Sequence, residues 1–242
     1  MAQILRNSLM AAASALLLVA CSANETTAAQ TAGPAETEAN SAYLSQVTFD
    51  EEGAGVILGN PDATVTLIEY ASLTCGHCKT FHEAVIPTIK QDYIATGKVK
   101  FIFREFPTPP AEIAVIGFAV ARCAGTDGFF PALDDFFGNQ DDIFAEAREG
   151  RALEALQAYG ERNGISKAEF EPCINSEEVR RAISKSVITG RDSGVVSTPT
   201  LILNGEKLES AESRTPEGLS AIIDLALSDL AQGDQVPAGP EE

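Results

Sequence analysis

The sequence is poor in positive charge. Its 242 residues hold 17 lysines and arginines against 35 aspartates and glutamates, which gives a formal net charge of −18. Nucleic-acid binding depends on basic side chains that neutralise phosphates, so this surplus of acid argues against a nucleic-acid-binding protein. The negative surface mainly favours solubility. The sequence also contains no internal repeats.

Long apolar runs are equally scarce. The most apolar stretch, residues 11–20, is too short to span a bilayer and is typical of a secretory signal, which we place at residues 1–20. The segment Leu18–Cys21 resembles a bacterial lipobox, in which the cysteine is lipidated after cleavage. We therefore expect a protein on the periplasmic side of the bacterial envelope, lipid-anchored at Cys21. The alternative is an ordinary signal that is cleaved nearby, for instance after Ala23.

Cysteine is rare, and the number of cysteines is odd at five. An odd thiol in an exported protein needs an explanation. Lipidation of Cys21 would leave four cysteines, which can pair as Cys75–Cys78 and Cys123–Cys173. With 49 residues between its cysteines, the second bond would stabilise the fold by about 4 kcal/mol. The alternative is two buried free thiols, because spacing does not determine connectivity.

The segment Cys75-Gly76-His77-Cys78 lies where an apolar run ends and a helical pattern begins. Two thiols at positions i and i+3 of a first helical turn can form and reopen a disulfide, and the helix N-terminus stabilises a thiolate there. Cys75 is the candidate nucleophile, and Cys78, one turn inside, would resolve a mixed disulfide. The alternatives are a static disulfide or half a zinc site. A zinc site is disfavoured because His82 completes no zinc pattern.

Apolar patterning predicts the order β-α-β, a helical block, then β-β-α. The strands Val65–Tyr70 and Val99–Arg104 are joined by a crossover helix and should therefore be parallel. Strand residues resume at Val195. A hairpin with Asn204-Gly205 at its turn then precedes a last helix. The predicted elements are helices at Ala111–Ala124, Gly128–Phe137, Arg151–Arg162, Lys167–Ile174 and Glu177–Arg191, strands at Thr200–Leu203 and Glu206–Leu208, and a final helix capped by Thr215 with Pro216 first.

This order, the cysteine motif and the segment Val195–Thr200 together resemble the thioredoxin fold with a helical insertion, as in DsbA-like thiol–disulfide oxidoreductases. The stretch Glu69–Cys78 matches the family's active-site approach closely. Phe103–Pro107 and Gly59–Ala63 resemble segments that are frequent in its alphaproteobacterial and Gram-positive branches. The resemblance covers about residues 45–230. It implies an α/β fold with a central mixed β-sheet flanked by helices and an inserted all-helical subdomain.

The resulting domain plan has a signal peptide, a tether, two parts of one fold and an insertion between them. We expect the boundaries at 1–20 (signal), 21–44 (disordered tether), 45–106 (first part of the thioredoxin fold), 107–192 (helical insertion), 193–232 (second part) and 233–242 (disordered tail).

The resemblance also implies roles for individual residues. Glu69 shares a strand face with Val65 and Leu67, where a carboxylate is costly unless it titrates or pairs. In the family, the matching glutamate lies beneath the cysteines and helps to move the proton of the buried thiol. The alternative is a strand-end glutamate that reaches solvent. Thr198-Pro199 is expected to be a cis-proline segment that exposes the Thr198 backbone to an extended substrate; the alternative is a trans proline.

Two further features have a structural interpretation. His82 follows Cys78 by four residues, and we expect a packed or surface histidine rather than a thiolate–imidazole metal site. The insertion also carries clustered phenylalanines, which should belong to the core rather than to a substrate groove: Phe129, Phe130, Phe136 and Phe137.

His77 lies between the thiols, where an imidazole can favour the Cys75 thiolate. DsbA-type proteins usually carry Pro-His between their cysteines, whereas Gly76-His77 matches the eukaryotic protein disulfide isomerases. This departure predicts a moderately oxidising couple, less extreme than that of DsbA.

We therefore expect a monomeric, exported oxidase that needs no metal and no cofactor besides its Cys75–Cys78 disulfide. It would donate that disulfide to unfolded or reduced exported proteins and be reoxidised by a membrane redox partner. One alternative is a reductase or isomerase of the same fold. Another is a non-redox copper-binding lipoprotein that uses the two thiols as soft ligands.

Overall fold

The structure is a computed structural model that describes residues 46–50 and 54–233. Four sequence predictions lie outside these residues: the signal at 1–20, the lipidation site Cys21, the tether at 21–44 and the tail beyond Gly233. Within the described part, no helix combines the length and the apolarity needed to cross a membrane.

A mixed sheet lies at the centre of the described residues. Its six strands follow the order β1-β2-β4-β3-β5-β6. The neighbours β3 and β4 are parallel, and each of the other pairs is antiparallel. The strands are β1 (Val47–Phe49), β2 (Gly55–Leu58), β3 (Val65–Ala71), β4 (Val99–Glu105), β5 (Thr200–Leu203) and β6 (Glu206–Leu208).

Helices cover the sheet, and six of them follow one another between β4 and β5. This is the predicted arrangement of a mixed sheet with a helical insertion. The helices are α1 (Gly76–Ala84), α2 (Ile86–Ile89), α3 (Ala111–Cys123), α4 (Gly125–Gly138), α5 (Gln140–Arg148), α6 (Ala152–Arg162), α7 (Lys167–Ile174), α8 (Glu177–Asp192) and α9 (Pro216–Gly233).

The crossover between β3 and β4 differs from the single helix that the sequence predicts. Helix α1 ends at Ala84, α2 follows with Pro87 in its first turn, and a π-helical turn continues over Lys90–Ile94. Proline lacks the backbone N–H that would continue α1, so the helix is interrupted there. Gly97, with a φ of 72°, then ends the crossover.

The strands β1 and β2 and helix α5 were not predicted. The two strands contain only three and four residues, and β1 is mostly exposed, so neither carries a clear alternating pattern. The strand expected to resume at Val195 begins only at Thr200. Pro199 directly precedes it and has no N–H to donate to a strand partner.

One core runs through the sheet and the insertion. Leu67 and Phe101 on the sheet belong to the same buried cluster as Phe118 and Tyr159 of the helices. The clustered phenylalanines are core residues, as predicted, and none exceeds 4% exposure: Phe129, Phe130, Phe136 and Phe137. The insertion therefore shares its hydrophobic stabilisation with the sheet.

A disulfide joins two helices of the insertion. Cys123, the last residue of α3, is bonded to Cys173 of α7, and their Cα atoms are 6.1 Å apart. Cys173 is buried and Cys123 lies at the edge of the core. The bond therefore ties α7 to α3, the first helix of the insertion.

A buried ion pair connects the sheet to the insertion and was missed in the sequence. Arg122 of α3 donates from Nε and Nη2 to the carboxylate of Glu105, the last residue of β4, at 2.5 and 2.9 Å. Nη2 also donates to the Ala54 carbonyl at 3.3 Å. Glu105 is fully buried and Arg122 is 9% exposed. Such a pair is costly to break from one side, because the remaining charge stays buried.

We predict that Arg122→Met destabilises the protein by about 3–5 kcal/mol, since it leaves the Glu105 carboxylate buried without a counter-charge. The double variant Glu105→Leu/Arg122→Met should recover most of that loss. Arg151→Met, which breaks an exposed pair with Glu146, is the matched control and should cost far less stability than Arg122→Met. Urea unfolding measures all three, and equal losses for Arg122→Met and Arg151→Met would contradict the prediction.

Candidate active site

The two cysteines of the motif lie where β3 passes into α1. Cys75 is the residue before the helix, with extended backbone angles, and it is partly exposed. Cys78 is in the first turn and is fully buried. Both are free thiols in the structure. One sulfur can therefore meet a partner protein while the other is shielded from it.

The turn before the helix is held by Ser72. Its carbonyl accepts a hydrogen bond from the Cys75 N–H at 3.1 Å, and its own N–H donates to Cys78 Sγ at 3.5 Å. The Ser72 hydroxyl in turn accepts from the N–H of Thr108, at 3.0 Å, in the segment after β4. Both thiols are thus positioned by one buried serine.

Gln140, the first residue of α5, reaches this turn from the insertion. Its Nε2 donates to the Leu73 carbonyl at 2.6 Å and to the Cys75 carbonyl at 3.4 Å. The side chain is 2% exposed. Gln140 therefore pairs the Leu73 carbonyl and adds a second donor to the Cys75 carbonyl, which also accepts from the Lys79 N–H at 3.1 Å. No sequence signal indicated this residue, because the helix that carries it was not predicted.

Thr198-Pro199 lies across from Cys75, and the peptide bond between the two residues is cis. Cys75 Sγ is 3.4 Å from the Thr198 carbonyl oxygen. A groove of about 430 Å³ opens beside this contact. It is lined by His77, Thr80, Phe81, Ser197, Thr198, Pro199 and Arg214. His77 is exposed at its edge.

The surroundings lower the pKa of Cys75 from 9.0 to about 5. The largest cause is a hydrogen bond from the Cys78 side chain, and desolvation opposes it. Hydrogen bonds with the Thr198 side chain and with the backbone N–H groups of His77 and Cys78 lower the pKa further. These amides are free to face the sulfur because the first turn of a helix leaves its N–H groups unpaired.

Burial has the opposite effect on the second thiol. Desolvation raises the pKa of Cys78 far above its usual range, and the hydrogen bond to Cys75 and the charge of Glu69 raise it further. At neutral pH the reduced site therefore contains a Cys75 thiolate and a Cys78 thiol. The asymmetry assigns the exposed sulfur to nucleophilic attack and leaves the buried one dependent on a proton acceptor.

Glu69 lies inside the protein, not at its surface. Its side chain is fully buried on β3, and its Oε2 is 3.0 Å from Nε2 of His82, which is also buried. The His82 ring packs against Phe137, with ring centroids 4.4 Å apart, and against the edge of Phe103. The solvent-reaching alternative for Glu69 is therefore excluded, and His82 is a packed histidine as expected.

The bond between His82 and Glu69 was not foreseen. The only signal in the sequence was the spacing of four residues between Cys78 and His82, which places both on one face of α1. Among the described residues, no group of three or more His, Cys, Asp or Glu could hold a metal ion.

Comparison with known proteins places this geometry in a family. A family model described as "Thioredoxin" matches residues 51–225. A Rickettsia typhi protein named "Putative protein-disulfide oxidoreductase" is 29% identical over 189 residues, which are 78% of this chain and 67% of that one. "Disulfide bond formation protein D" of Bacillus subtilis is 24% identical over 156 residues, 64% of this chain and 69% of that protein. The chain spans about two thirds of the length of these relatives.

Solved structures show the same fold. Wolbachia pipientis alpha-DsbA1 superposes with a TM-score of 0.65 at 23% identity, covering 81% of this chain and all of that one. Oxidised BdbD of Bacillus subtilis gives a TM-score of 0.59 at 21% identity, covering 73% of this chain and 94% of that one. The predicted thioredoxin fold with a helical insertion is confirmed.

Fold and site together define a thiol–disulfide oxidoreductase, in which a cysteine pair carries the electrons without a further cofactor. The chain belongs to the thioredoxin family, and within that family it is DsbA-like.

We predict that Cys75 in the reduced protein titrates with a midpoint near pH 5. Because the pKa of Cys75 is lower in the folded than in the unfolded protein, ionisation of this thiol stabilises the folded, reduced form. This stabilisation is complete above pH 9.0 and is lost as the pH falls toward 5. The ultraviolet absorbance of the thiolate, or the rate of alkylation against pH, measures the midpoint. In Cys78→Ala it should move upward, because the largest stabilising hydrogen bond is gone. A midpoint above about pH 8 in the wild-type chain, the range of an ordinary thiol, would contradict the assignment.

Proposed function

We propose that this protein is an oxidase that transfers its Cys75–Cys78 disulfide to cysteine pairs of other exported proteins. The observation that carries the proposal is the lowered pKa of Cys75. A stabilised thiolate favours the reduced form over the disulfide, and a disulfide whose reduced form is stabilised is a stronger oxidant. The site therefore favours oxidation of substrate thiols by the Cys75–Cys78 disulfide over reduction of substrate disulfides by the two thiols.

In this mechanism a substrate thiolate attacks Cys75 Sγ. The Cys75–Cys78 bond breaks, a mixed disulfide with Cys75 forms, and Cys78 leaves as a thiolate that takes up a proton. The second substrate thiolate then attacks the substrate sulfur of the mixed disulfide, and Cys75 leaves as a thiolate. Two electrons have passed to the protein. His77, at the rim of the site, would add favourable electrostatics at Cys75 when it is protonated.

Thr198 and Pro199 are the proposed binding segment for the substrate. The groove beside them exposes backbone within reach of Cys75, so an extended peptide could pair with it and bring its cysteine to the sulfur. Recognition through backbone atoms depends little on side chains, which suits a protein that acts on many unfolded or reduced chains.

Glu69 is the proposed proton carrier for Cys78. It is fully buried, and its charge raises the pKa of the Cys78 thiol. A proton shared between Glu69 and Cys78 would lower the free-energy cost of releasing Cys78 as a thiolate. The other parts of the proposal depend on sequence alone: export to the periplasmic side, a lipid anchor at Cys21, a monomeric state and reoxidation by a membrane redox partner.

The oxidase direction is tested with reduced, unfolded ribonuclease and, separately, with ribonuclease that carries scrambled disulfides. The oxidised protein should restore ribonuclease activity to the reduced substrate. The Cys75→Ala variant should restore none. In living cells, trapping of the thiols should find the Cys75–Cys78 pair mostly as a disulfide. Faster rescue of the scrambled substrate, or a mostly reduced pair in cells, would instead identify an isomerase or reductase.

We predict that Glu69→Gln slows disulfide exchange on the order of 100-fold near neutral pH while the protein stays folded, because the amide cannot exchange a proton with Cys78. Stopped-flow reaction with a reduced peptide measures the rate, and thermal melting checks the fold. Glu154→Gln, an exposed carboxylate on α6, is the matched control and should react at the wild-type rate. A normal rate in Glu69→Gln would remove the role of this residue.

A further inference from the structure

The proton that Cys78 exchanges has no direct way to water. Cys78 and Glu69 are both fully buried. On the side of Cys75, the contact with Thr198 and the groove beside it form the proposed docking position of the substrate. A substrate in that groove would cover the nearest surface at the moment when Cys78 needs to gain or lose its proton. A second route to solvent is therefore needed.

His82 lies between Glu69 and a second groove. Its Nε2 bonds the Glu69 carboxylate at 3.0 Å, and the residue also lines a groove of about 350 Å³. That groove is bordered by His82, Ile86, Pro87, Lys90, Asp134 and Phe137. None of these residues lines the groove at Thr198-Pro199. The second groove therefore stays open when a substrate occupies the first.

Two polar atoms at this position have no hydrogen-bond partner among the described residues. They are Oε1 of Glu69 and Nδ1 of His82. A pair that served only to fix the core would be expected to satisfy its buried polar atoms. An imidazole with one nitrogen on an acid and the other without a protein partner can take a proton at one nitrogen and release one at the other.

The charged groups around His82 leave this exchange possible. Glu69 faces it from β3, the rings of Phe103 from β4 and Phe137 from α4 pack against it, and α4 also brings Asp134 to the groove. Within the groove, Lys90 and Asp134 are paired at 2.9 Å and largely cancel each other. Glu83, the neighbour of His82, also borders the groove. Among the described residues, the Glu69 carboxylate forms no ion pair with a lysine or an arginine.

We infer that His82 is a positioning and relay residue that connects the Cys78–Glu69 pair to solvent through the groove between α1, α2 and α4. When Cys78 attacks a mixed disulfide, its proton passes to Glu69. Glu69 passes a proton to Nε2 of His82, and Nδ1, a buried atom with no protein partner, releases one to water that enters from the groove beside the ring. The Cys75–Cys78 bond forms, and the bond between Cys75 and the substrate breaks with a thiolate leaving. In the oxidising direction each proton moves the other way. The inference rests on the proposed role of Glu69.

The test is the release of glutathione from a mixed disulfide prepared on Cys75, a step in which Cys78 must lose its proton. His82→Gln keeps a donor for Glu69 but cannot relay a proton, so release should slow on the order of 100-fold. His82→Ala should be equally slow and should regain speed when free imidazole, which fits the groove, is added. The wild-type rate should not respond to imidazole. Titration of the Cys75 thiolate in reduced His82→Gln should keep its wild-type midpoint, because the route does not include Cys75.

A wild-type release rate in His82→Gln would overturn the inference, since a hydrogen bond alone would then suffice. Failure of imidazole to rescue a folded His82→Ala would also overturn it. The Glu69→Gln variant distinguishes this failure from failure of the proposed function. If Glu69→Gln is slow and His82→Gln is normal, only the relay through His82 is wrong. If both release glutathione at the wild-type rate, the role of Glu69 fails as well.

Discussion

The burial of the Cys78 thiol is the constraint on which the rest of the site depends. Because Cys78 is fully buried beside the Glu69 carboxylate, it stays protonated, and its S–H is free to donate to Cys75. That hydrogen bond, together with the unpaired amides at the start of α1, keeps Cys75 ionised. The reactivity of one sulfur thus follows from the isolation of the other. The same isolation creates the need for a proton carrier, which is the role proposed for Glu69 on the buried face of β3.

The insertion is part of the active site and not an appendage of the fold. Gln140 and Thr108 hold the turn that carries the cysteines, one from an inserted helix and the other from the segment that leads into the insertion. The buried pair between Arg122 and Glu105 fixes the first inserted helix to the end of β4, next to that turn. The packing of the insertion therefore determines the geometry of the thiols, although no inserted side chain bonds to either sulfur in the described residues.

Local chemistry in the sequence predicted the elements with strong patterns. The strand at Val65, the hairpin at Asn204-Gly205 and the helix at Lys167–Ile174 were all found from alternation, turn residues or periodicity. Short elements such as β1 and β2 were not, because three or four residues carry too little pattern. In the site, contiguous motifs were readable and long-range partners were not. Gln140 meets Leu73 across 67 positions, and only the fold brings them together. The sequence showed the four-residue spacing between Cys78 and His82. It did not show the hydrogen bond between His82 and Glu69, because a strand pattern alone does not determine how deeply Glu69 is buried.

Stabilisation of the Cys75 thiolate is the property proposed to make this pair an oxidant. Equilibration of the full chain with mixtures of reduced and oxidised glutathione, with quantification of the Cys75–Cys78 disulfide, tests it most directly. We expect a reduction potential clearly above that of thioredoxin, at about −270 mV, and below that of DsbA, at about −120 mV, because Gly76 replaces the proline of the DsbA type. A potential at or below the thioredoxin value would contradict it.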